Sequence, residues 1–251
     1  MPFSDYKTAL VTGASTGMGY AIAERLSQKG LTVHALARNA DALDGLAKAS
    51  GCIPHVMDVT DTAGLTALLA GLQIDILVNN AGVSRAGNIL NANEYDIDEQ
   101  IDVNLRAALH LSRLTLPGML ARNSGHIINI TSIAGHYEFS GHTVYHATKA
   151  AMHTVSRQLR VDGYGHDVRV TEICPGRVET DIFARVEKID AAEAKQKYFA
   201  DYEVPKPSDI ADAVEYAIGT PTYVNIGLIE ITPTMQVPGG LRTGTRTQFP
   251  K

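Results

Sequence analysis

The chain has little of several features that characterise other classes of protein. Its formal net charge is −5 and its pI is about 6.0, so it has no basic excess with which to bind a nucleic acid backbone or an anionic membrane. It has only two cysteines, Cys52 and Cys174, and both lie in apolar segments. This excludes a disulfide scaffold and predicts two reduced core thiols. No uninterrupted apolar run approaches the roughly 18 residues of a membrane span.

Targeting and linker signals are also missing. The N-terminal segment MPFSDYKTALVTG has no basic stretch followed by a long apolar core, so nothing in it is typical of a secretory signal. Repeats, low-complexity tracts and charge blocks that would mark a linker are absent from the sequence. The sequence therefore predicts one domain over residues 1–251 in a cytoplasmic protein.

What is present is a regular alternation of strand and helix signals. Seven short apolar segments rich in β-branched residues favour strands, at 7–12, 31–37, 52–57, 74–79, 125–131, 167–173 and 226–231. Helical periodicity occurs at 17–29, 39–49, 61–71, roughly 94–122, 143–164 and 208–219, with Ser208 as the predicted N-cap of the last helix. This order predicts an α/β domain of the doubly wound Rossmann type: a seven-stranded parallel sheet with helices on both faces and ligands at the carboxyl ends of the strands.

Two segments do not follow this alternation. Residues 181–206 have scattered charges and no strong period, which predicts a mobile flap beside the binding edge of the sheet. The C-terminal tail, residues 233–251, is rich in Gly, Thr and Arg. It is interpreted either as a frayed terminus or as an arm that contacts a neighbouring subunit.

A tyrosine is followed by a lysine four residues later at two places, Tyr145 with Lys149 and Tyr202 with Lys206. In a helix this spacing puts both side chains on one face, one turn apart. Pro205 disfavours a helix through the second pair. Only Tyr145 and Lys149 are therefore predicted to work together.

The segment TGASTGMG, residues 12–19, lies between the first predicted strand and the first helix. Glycines there permit a tight turn, and the following helix N-terminus offers N–H groups to a pyrophosphate. Glycines also serve plain turns, but this position favours a dinucleotide site. The second strand ends in Ala37 and Arg38, without the acid that binds the ribose of NAD, and an arginine fork suits a 2′-phosphate. NADP(H) is therefore the expected cofactor; the alternative is a solvated arginine.

With these pieces in place, the chain resembles the short-chain dehydrogenase/reductase family over nearly its whole length. The matching motifs are TGASTGMG (12–19), DV (58–59), NNAG (79–82), VNL with Asn104, ITS with Ser132, YHATK (145–149) and PGRVET (175–180). The resemblance implies a cofactor site formed by Gly13, Ser15, Thr16, Gly17, Met18, Gly19, Arg38, Asp58, Val59, Asn80, Ala81, Gly82, Tyr145, Lys149, Pro175, Gly176, Val178 and Thr180. It also implies a homodimer or homotetramer.

The same resemblance implies a catalytic tetrad. Tyr145 would protonate the carbonyl oxygen in reduction and act as the base in oxidation. A free phenol titrates near 10, so the charge of Lys149 is expected to lower the pKa of Tyr145. Ser132 would donate to the substrate oxygen, and Asn104 would hold a water that links Lys149 to solvent.

His136, His142 and His146 lie close to Tyr145 in sequence. No cysteine or carboxylate stands at metal-ligand spacing beside them. They are expected to line the substrate pocket, and no metal is expected.

The substrate is less constrained than the reaction. The segments DVRVTEICPGRVETD and VNIGLIEITPTMQ resemble bacterial NADP-dependent 3-hydroxy acid dehydrogenases, which act on serine or 3-hydroxypropionate, and sulfoacetaldehyde reductases. Such substrates carry an anion, so Ser132 and Tyr145 are expected to bind the reacting oxygen while Arg177 or Arg185 binds the anion. The alternatives are a general ketoreductase for bulkier alcohols or ketones and a nucleotide-binding sensor without catalysis.

Overall fold

The computed structural model describes residues 2–200 and 203–236. Within these residues the strands form one seven-stranded parallel sheet in the order β3-β2-β1-β4-β5-β6-β7. The strands are β1 (Thr8–Thr12), β2 (Thr32–Ala37), β3 (Ile53–Val56), β4 (Ile76–Asn79), β5 (Gly125–Ile130), β6 (Val168–Pro175) and β7 (Leu228–Ile231). The predicted single Rossmann-like domain is confirmed.

Helices cover both faces of this sheet. They are α1 (Gly17–Gln28), α2 (Ala40–Ser50), α3 (Thr62–Leu69), α4 (Glu94–Ile101), α5 (Ala107–Ala121), α6 (Thr143–Asp162), α7 (Ile182–Glu187), α8 (Ala191–Phe199) and α9 (Pro207–Gly219). Ile22 of α1 and Val214 of α9 belong to a core on one face, and Leu111 of α5 and Leu159 of α6 to a core on the other. Because both faces are buried, the inner strands are continuous apolar runs without alternation.

The sheet topology places the site. Strand order reverses between β1 and β4, and in doubly wound sheets ligands bind beyond the carboxyl ends of the strands at such a switch point. The segments that follow β1, β2, β3 and β4 therefore meet at one edge. The segments after β5 and β6 extend this edge toward the lid, which we define as residues 177–206 and which contains the predicted flap, 181–206.

Three details differ from the sequence prediction. The last helix begins at Pro207 with Lys206 as its N-cap, so the predicted cap Ser208 is wrong; proline is favoured at the first helical position because its missing N–H is not needed there. The predicted helix 94–122 is interrupted by a π-helical turn, Asp102–Arg106. Residues 181–206, predicted as a mobile flap because they show no strong period, contain the short helices α7 and α8.

Both cysteines are buried and unpaired, as predicted. Among the described residues, no helix is long and apolar enough to cross a membrane. Most of the predicted tail, from residue 237 to residue 251, lies outside the described residues, and so does Tyr202 of the second tyrosine–lysine pair.

Candidate active site

A groove of about 430 Å³ lies along the carboxyl edge of the sheet. The predicted cofactor residues that line it are Gly13, Ser15, Thr16, Gly17, Met18, Arg38, Asp58, Val59, Asn80, Ala81, Gly82 and Thr180. Lining residues that the sequence analysis missed are Leu36, Asn39, Met57, Val83, Val103, Asp181 and Ile182. Ala37, named for cofactor choice, and Arg185, predicted for the substrate anion, also line the groove. Several of the missed residues lie at or just after the end of a strand, and this was the signal that could have identified them.

The glycine loop between β1 and α1 owes its shape to the absence of side chains. Gly13 has φ +65° and a Cβ there would lie 2.9 Å from Cα of Ala81. Gly17 has φ +58°, a conformation that L side chains rarely adopt. A Cβ on Gly19 would overlap the carbonyl oxygen of Gly13 and the side chain of Asn80. The loop therefore presents backbone N–H groups close to the groove.

The segment after β4 is bonded to the end of β1. The buried Thr12 hydroxyl accepts from the backbone N–H groups of Asn80 and Ala81, each at 3.0 Å. Asn80 Nδ2 in turn donates to the Thr12 carbonyl oxygen at 2.8 Å. These bonds fix the two central segments of the groove relative to each other.

Arg38 follows β2 and its side chain is 67% exposed. Its Nη1 lies 3.5 Å from Oδ2 of Asp58, an ion pair too long and too exposed to hold the guanidinium firmly. Burial opposes ionisation of Asp58, but hydrogen bonds from Thr60 and the charge of Arg38 outweigh it and lower the pKa of Asp58. The guanidinium can thus exchange this partner for a phosphate in the same groove.

Tyr145 and Lys149 lie on successive turns of α6, as predicted. The Lys149 ammonium is 5.7 Å from the centroid of the Tyr145 ring and donates to the carbonyl oxygen of Ile130 at 3.1 Å. Ser132 lies two residues after the end of β5. Its Oγ accepts a hydrogen bond from the N–H of Ala134 at 3.2 Å. Ser132 also hydrogen-bonds Tyr145. The structure therefore brings Ser132, Tyr145 and Lys149 together.

The pKa of Tyr145 differs from the sequence expectation. Burial raises this pKa above its ordinary value, and the hydrogen bond from Ser132 opposes the rise only in part. Burial also lowers the pKa of Lys149 to about 8. Since the lysine is itself desolvated, its ammonium does not lower the pKa of the phenol below the ordinary value in the unliganded protein.

Asn104 lies within the π-helical turn and is buried. Its Oδ1 accepts from the N–H of Val83 at 2.7 Å, and its Nδ2 donates to the Val83 carbonyl oxygen and to Thr148. A Cβ built on Gly82 would lie 3.4 Å from Oδ1 of Asn104 and 3.6 Å from Nζ of Lys149. Asn104 therefore faces the same narrow space as Lys149, and a π-helical insertion is a frequent feature of functional sites.

Residues 7–191 match the short chain dehydrogenase family. The chain belongs to this family. An uncharacterized short-chain type dehydrogenase/reductase of Sinorhizobium fredii is 41% identical over 240 residues, covering 95% of this chain and 96% of the relative. The NADP-dependent 3-hydroxy acid dehydrogenase of Escherichia coli strain K12 is 38% identical over 241 residues, covering 92% and 97%. The solved closed form of serine dehydrogenase complexed with NADP+ has a TM-score of 0.91 at 37% identity and covers 95% and 100%.

The chain is thus a short-chain dehydrogenase, an oxidoreductase that acts on CH–OH groups with NADP(H) as its cofactor. The groove fits this cofactor. The glycine loop, whose residues Gly13, Ser15, Thr16 and Gly17 line the groove, leads into the N-terminus of α1, where the N–H groups of a helix suit a pyrophosphate. Arg38 stands at the end of β2 where the 2′-phosphate of NADP(H) is bound in such folds.

The end of β6 leads into the lid. Gly176 donates its N–H to the carbonyl oxygen of Ile231 at 2.7 Å, and a Cβ on it would overlap Oε1 of Gln236. Val178 is buried, and Thr180 lies against the position of a Cβ on Gly17 at 3.4 Å. Pro175, the last residue of β6, pairs in register with Ile231. These predicted nicotinamide-end residues thus form the turn between the sheet and the lid.

The two ends of the lid meet. Glu179 donates its backbone N–H to the carbonyl oxygen of Pro205 at 2.9 Å. Within the lid, Phe183 of α7 stacks on Tyr198 of α8 with ring centroids 4.4 Å apart. Lys197 of α8 forms an ion pair with Glu187 of α7. The dehydrogenase therefore carries a lid with its own internal contacts.

The two arginines proposed for the substrate anion lie in different places. Arg177 donates to the carbonyl oxygen of Tyr198 at 3.2 Å, and its guanidinium lies 5.8 Å and 5.7 Å from the ring centroids of Phe183 and Tyr198. Arg185 instead lines the cofactor groove and donates to Oγ1 of Thr16 at 2.9 Å. Arg185 was expected to bind the substrate anion as an alternative to Arg177, and this stays a prediction; in this structure α7 directs its side chain to the glycine loop.

The histidines also differ from expectation. His136 Nε2 lies 3.3 Å from Oε1 of the buried Glu172, and ligand atoms of His136, Glu172 and Cys174 lie within 4.8 Å of one another. No carboxylate or cysteine is close to these histidines at metal-ligand spacing in the sequence, but the fold brings Glu172 and Cys174 next to His136. His153 and Thr131 also hydrogen-bond Glu172, at 2.7 Å and 2.6 Å. These bonds satisfy the carboxylate without an ion, and the expected absence of a metal stays a prediction.

The other two histidines bond locally. His146 Nδ1 lies 2.7 Å from the carbonyl oxygen of His142, and its Nε2 accepts from the N–H of Phe139 at 2.9 Å. Burial lowers the pKa of His142, which keeps its imidazole neutral near neutral pH. These contacts support the 136–146 segment beside Tyr145.

Proposed function

We propose that this dehydrogenase transfers a hydride between NADP(H) and a small hydroxy acid, or the corresponding semialdehyde or sulfoaldehyde, with Tyr145 as the general acid and base. The observation that carries this proposal is the approach of Lys149 to Tyr145, 5.7 Å from ammonium to ring centroid. Ser132 bonds the same phenol. A donor, a proton carrier and a cation are thus available beside the cofactor groove.

Each residue has a defined part in the reduction. The bound cofactor supplies the hydride to the carbonyl carbon. Ser132 donates a hydrogen bond to the substrate oxygen as negative charge develops there. Tyr145 gives its phenolic proton to that oxygen, and the Lys149 ammonium stabilises the resulting phenolate. Asn104 holds the water through which Lys149 returns a proton from solvent.

The cofactor's remaining contacts follow the same proposal. Arg38 binds the 2′-phosphate, and Asp58 and Val59 bind the adenine. The segment Asn80 to Gly82 binds the adenosine ribose. The nicotinamide end is held by Lys149 and by the turn formed by Pro175, Gly176, Val178 and Thr180.

The substrate class is supported by the relatives. One is named a 3-hydroxy acid dehydrogenase and the solved structure is a serine dehydrogenase. Arg177 is the favoured candidate for the substrate anion because it directly follows the Gly176 turn, although it also packs on Phe183 and Tyr198. A general ketoreductase is the alternative. The presence of both Tyr145 and Lys149 argues against a sensor without catalysis.

We further propose that the lid is closed in this structure, since the TM-score of 0.91 is to a closed form that holds NADP+. Exposed Leu109 on α5, together with Val161 on α6 and Tyr164 after it, supports a homodimer or homotetramer in which these helices face a second copy. The two unpaired buried cysteines support a cytoplasmic location.

The test is an activity screen of the purified protein with NADPH. Small semialdehydes with a carboxylate or sulfonate are compared with uncharged aldehydes of similar size and with bulkier ketones. The proposal expects a higher kcat/KM for the charged substrates. A clear preference for the uncharged or bulky substrates replaces it with the ketoreductase, and no turnover of any substrate despite NADPH binding favours the sensor.

A further inference from the structure

The lid contacts the glycine loop through a charged side chain that catalysis does not require. Arg185 Nη2 donates to Oγ1 of Thr16 at 2.9 Å. Thr16 is the N-cap residue of α1, yet its side chain makes no capping hydrogen bond to the helix. Such caps normally satisfy one of the first N–H groups of a helix. Those groups are therefore not taken by the side chain that usually binds them.

Within the protein itself the position of this arginine is electrostatically unfavourable. The N-terminus of α1 carries the positive end of the helix dipole, so a nearby guanidinium is repelled rather than attracted. The ion pair of Arg185 with Asp181 is 3.9 Å long, and both side chains are about three-fifths exposed, at 58% and 60%, so it contributes little. An anion between the helix N-terminus and the guanidinium would be attracted by both.

The groove supplies a place for that anion. Thr16, Gly17 and Arg185 all line it, and Thr180 at the start of the lid lies against Gly17. We infer that Arg185 is the lid's phosphate-binding residue: it binds the pyrophosphate of NADP(H) opposite the N-terminus of α1 and does not bind the substrate anion. This inference rests on the proposed function.

The experiment compares two arginines and three ligands. Dissociation constants of NADPH, NADH and adenosine 2′-monophosphate are measured by calorimetry for wild type, Arg185→Met, Arg185→Lys and Arg38→Ala. Arg185→Met should weaken NADPH and NADH alike by roughly tenfold or more, because each contains the pyrophosphate. It should leave the 2′-monophosphate unchanged, since that ligand has no pyrophosphate. Arg38→Ala should weaken NADPH and the 2′-monophosphate but not NADH.

Lys188→Met is the matched control. Lys188 is an exposed cation of the same lid, so this change removes one positive charge without touching the glycine loop. It should leave all three dissociation constants unchanged, and Arg185→Lys should bind NADPH with intermediate affinity. Melting temperatures of all variants check that the fold is intact.

The results separate this inference from the proposed function. Wild-type affinity of Arg185→Met for both dinucleotides overturns the inference, and so does a selective loss of activity on charged substrates in that variant. Equal weakening by Lys188→Met would show a general charge effect and also overturns it. A wild-type protein that binds NADPH but reduces no carbonyl would overturn the proposed function alone.

Discussion

Between Gly13 and Gly19 the main chain packs too closely for side chains, whereas the lid is held together by its side chains. The loop depends on positions where a Cβ would collide with neighbouring main chain. The lid depends on Phe183 stacked on Tyr198 and on Arg177 beside both rings. A backbone surface recognises what all dinucleotides share, while a side-chain surface can be altered one residue at a time. The glycine loop should therefore lose its function when side chains are added to it, and the lid should lose its function when side chains are removed from it.

The largest effect is expected at Tyr145, which belongs to neither the glycine loop nor the lid. Tyr145→Phe removes the phenolic proton and leaves the groove and the lid in place. We expect kcat to fall by at least roughly a hundredfold, as is typical of losing a general acid. Calorimetry should show NADPH affinity within about twofold of wild type, as expected for a residue that acts in the transition state. Near-normal turnover would remove Tyr145 from the mechanism.

The second prediction adds a side chain to the loop. Gly19→Ala places a methyl group against the Gly13 carbonyl oxygen and Asn80, and such overpacking costs about 1–3 kcal/mol. The free energy of unfolding should fall by this amount, and NADPH binding should weaken. Urea unfolding and calorimetry measure the two effects. Gly45→Ala is the control: nothing lies within 4 Å of a Cβ at this position in α2, so the change should be neutral or stabilising.

The third prediction concerns Arg38, which we proposed to bind the 2′-phosphate. Arg38→Ala should raise the KM for NADPH by roughly tenfold or more, the value of one charged hydrogen bond. The KM for NADH should change little, because NADH lacks the 2′-phosphate. Steady-state kinetics with both cofactors measures this. If both KM values rise equally, the arginine supports the fold and does not bind the phosphate.

The fourth prediction is a pH dependence. Burial lowers the pKa of Lys149 to about 8 and raises that of Tyr145. As the pH rises through about 8, the lysine loses its charge while the phenol keeps its proton, so kcat/KM for reduction, which reports the free enzyme, should decline on the alkaline side. A profile from about pH 6 to about pH 10 measures it. Lys188→Met should leave the decline in place, and a kcat/KM that stays level beyond about pH 9 in wild type would contradict the assignment.

The smallest effect is expected in the lid. Arg177→Met removes a guanidinium that packs on two rings and bonds a carbonyl oxygen. If Arg177 also binds the substrate anion, KM for a charged semialdehyde should rise severalfold more than KM for an uncharged aldehyde. Equal changes for both substrates would restrict Arg177 to holding the lid together. NADPH affinity serves as the internal control and should not change.

The order of strand, glycine loop and helix at the start of the chain could be predicted because its signals are local. These three elements follow one another directly, and the requirement for glycine at residue 19 belongs to that short segment. The proximity of Tyr145 and Lys149 was predictable for the same reason, since they are one helical turn apart.

Other features could not be predicted because they depend on residues distant in the chain. The contact of Arg185 with Thr16 joins segments 169 residues apart, and the path of the lid decides it. His136 meets Glu172 across 36 residues, so spacing alone missed the cluster. The rise in the pKa of Tyr145 follows from burial, which a linear motif does not report. Ser208 was wrongly predicted as a cap for a local reason: Pro207 already starts the helix.

The hydrogen bond from Glu179 to Pro205 ties the two ends of the lid at one point. The chain between these residues leaves the sheet and returns to the same point. The entropic cost of closing such a loop grows only slowly with its length. The lid can therefore be replaced as a unit. Segments of other lengths and compositions can be grafted between these two residues to change substrate preference, while the residues proposed for hydride transfer stay unchanged.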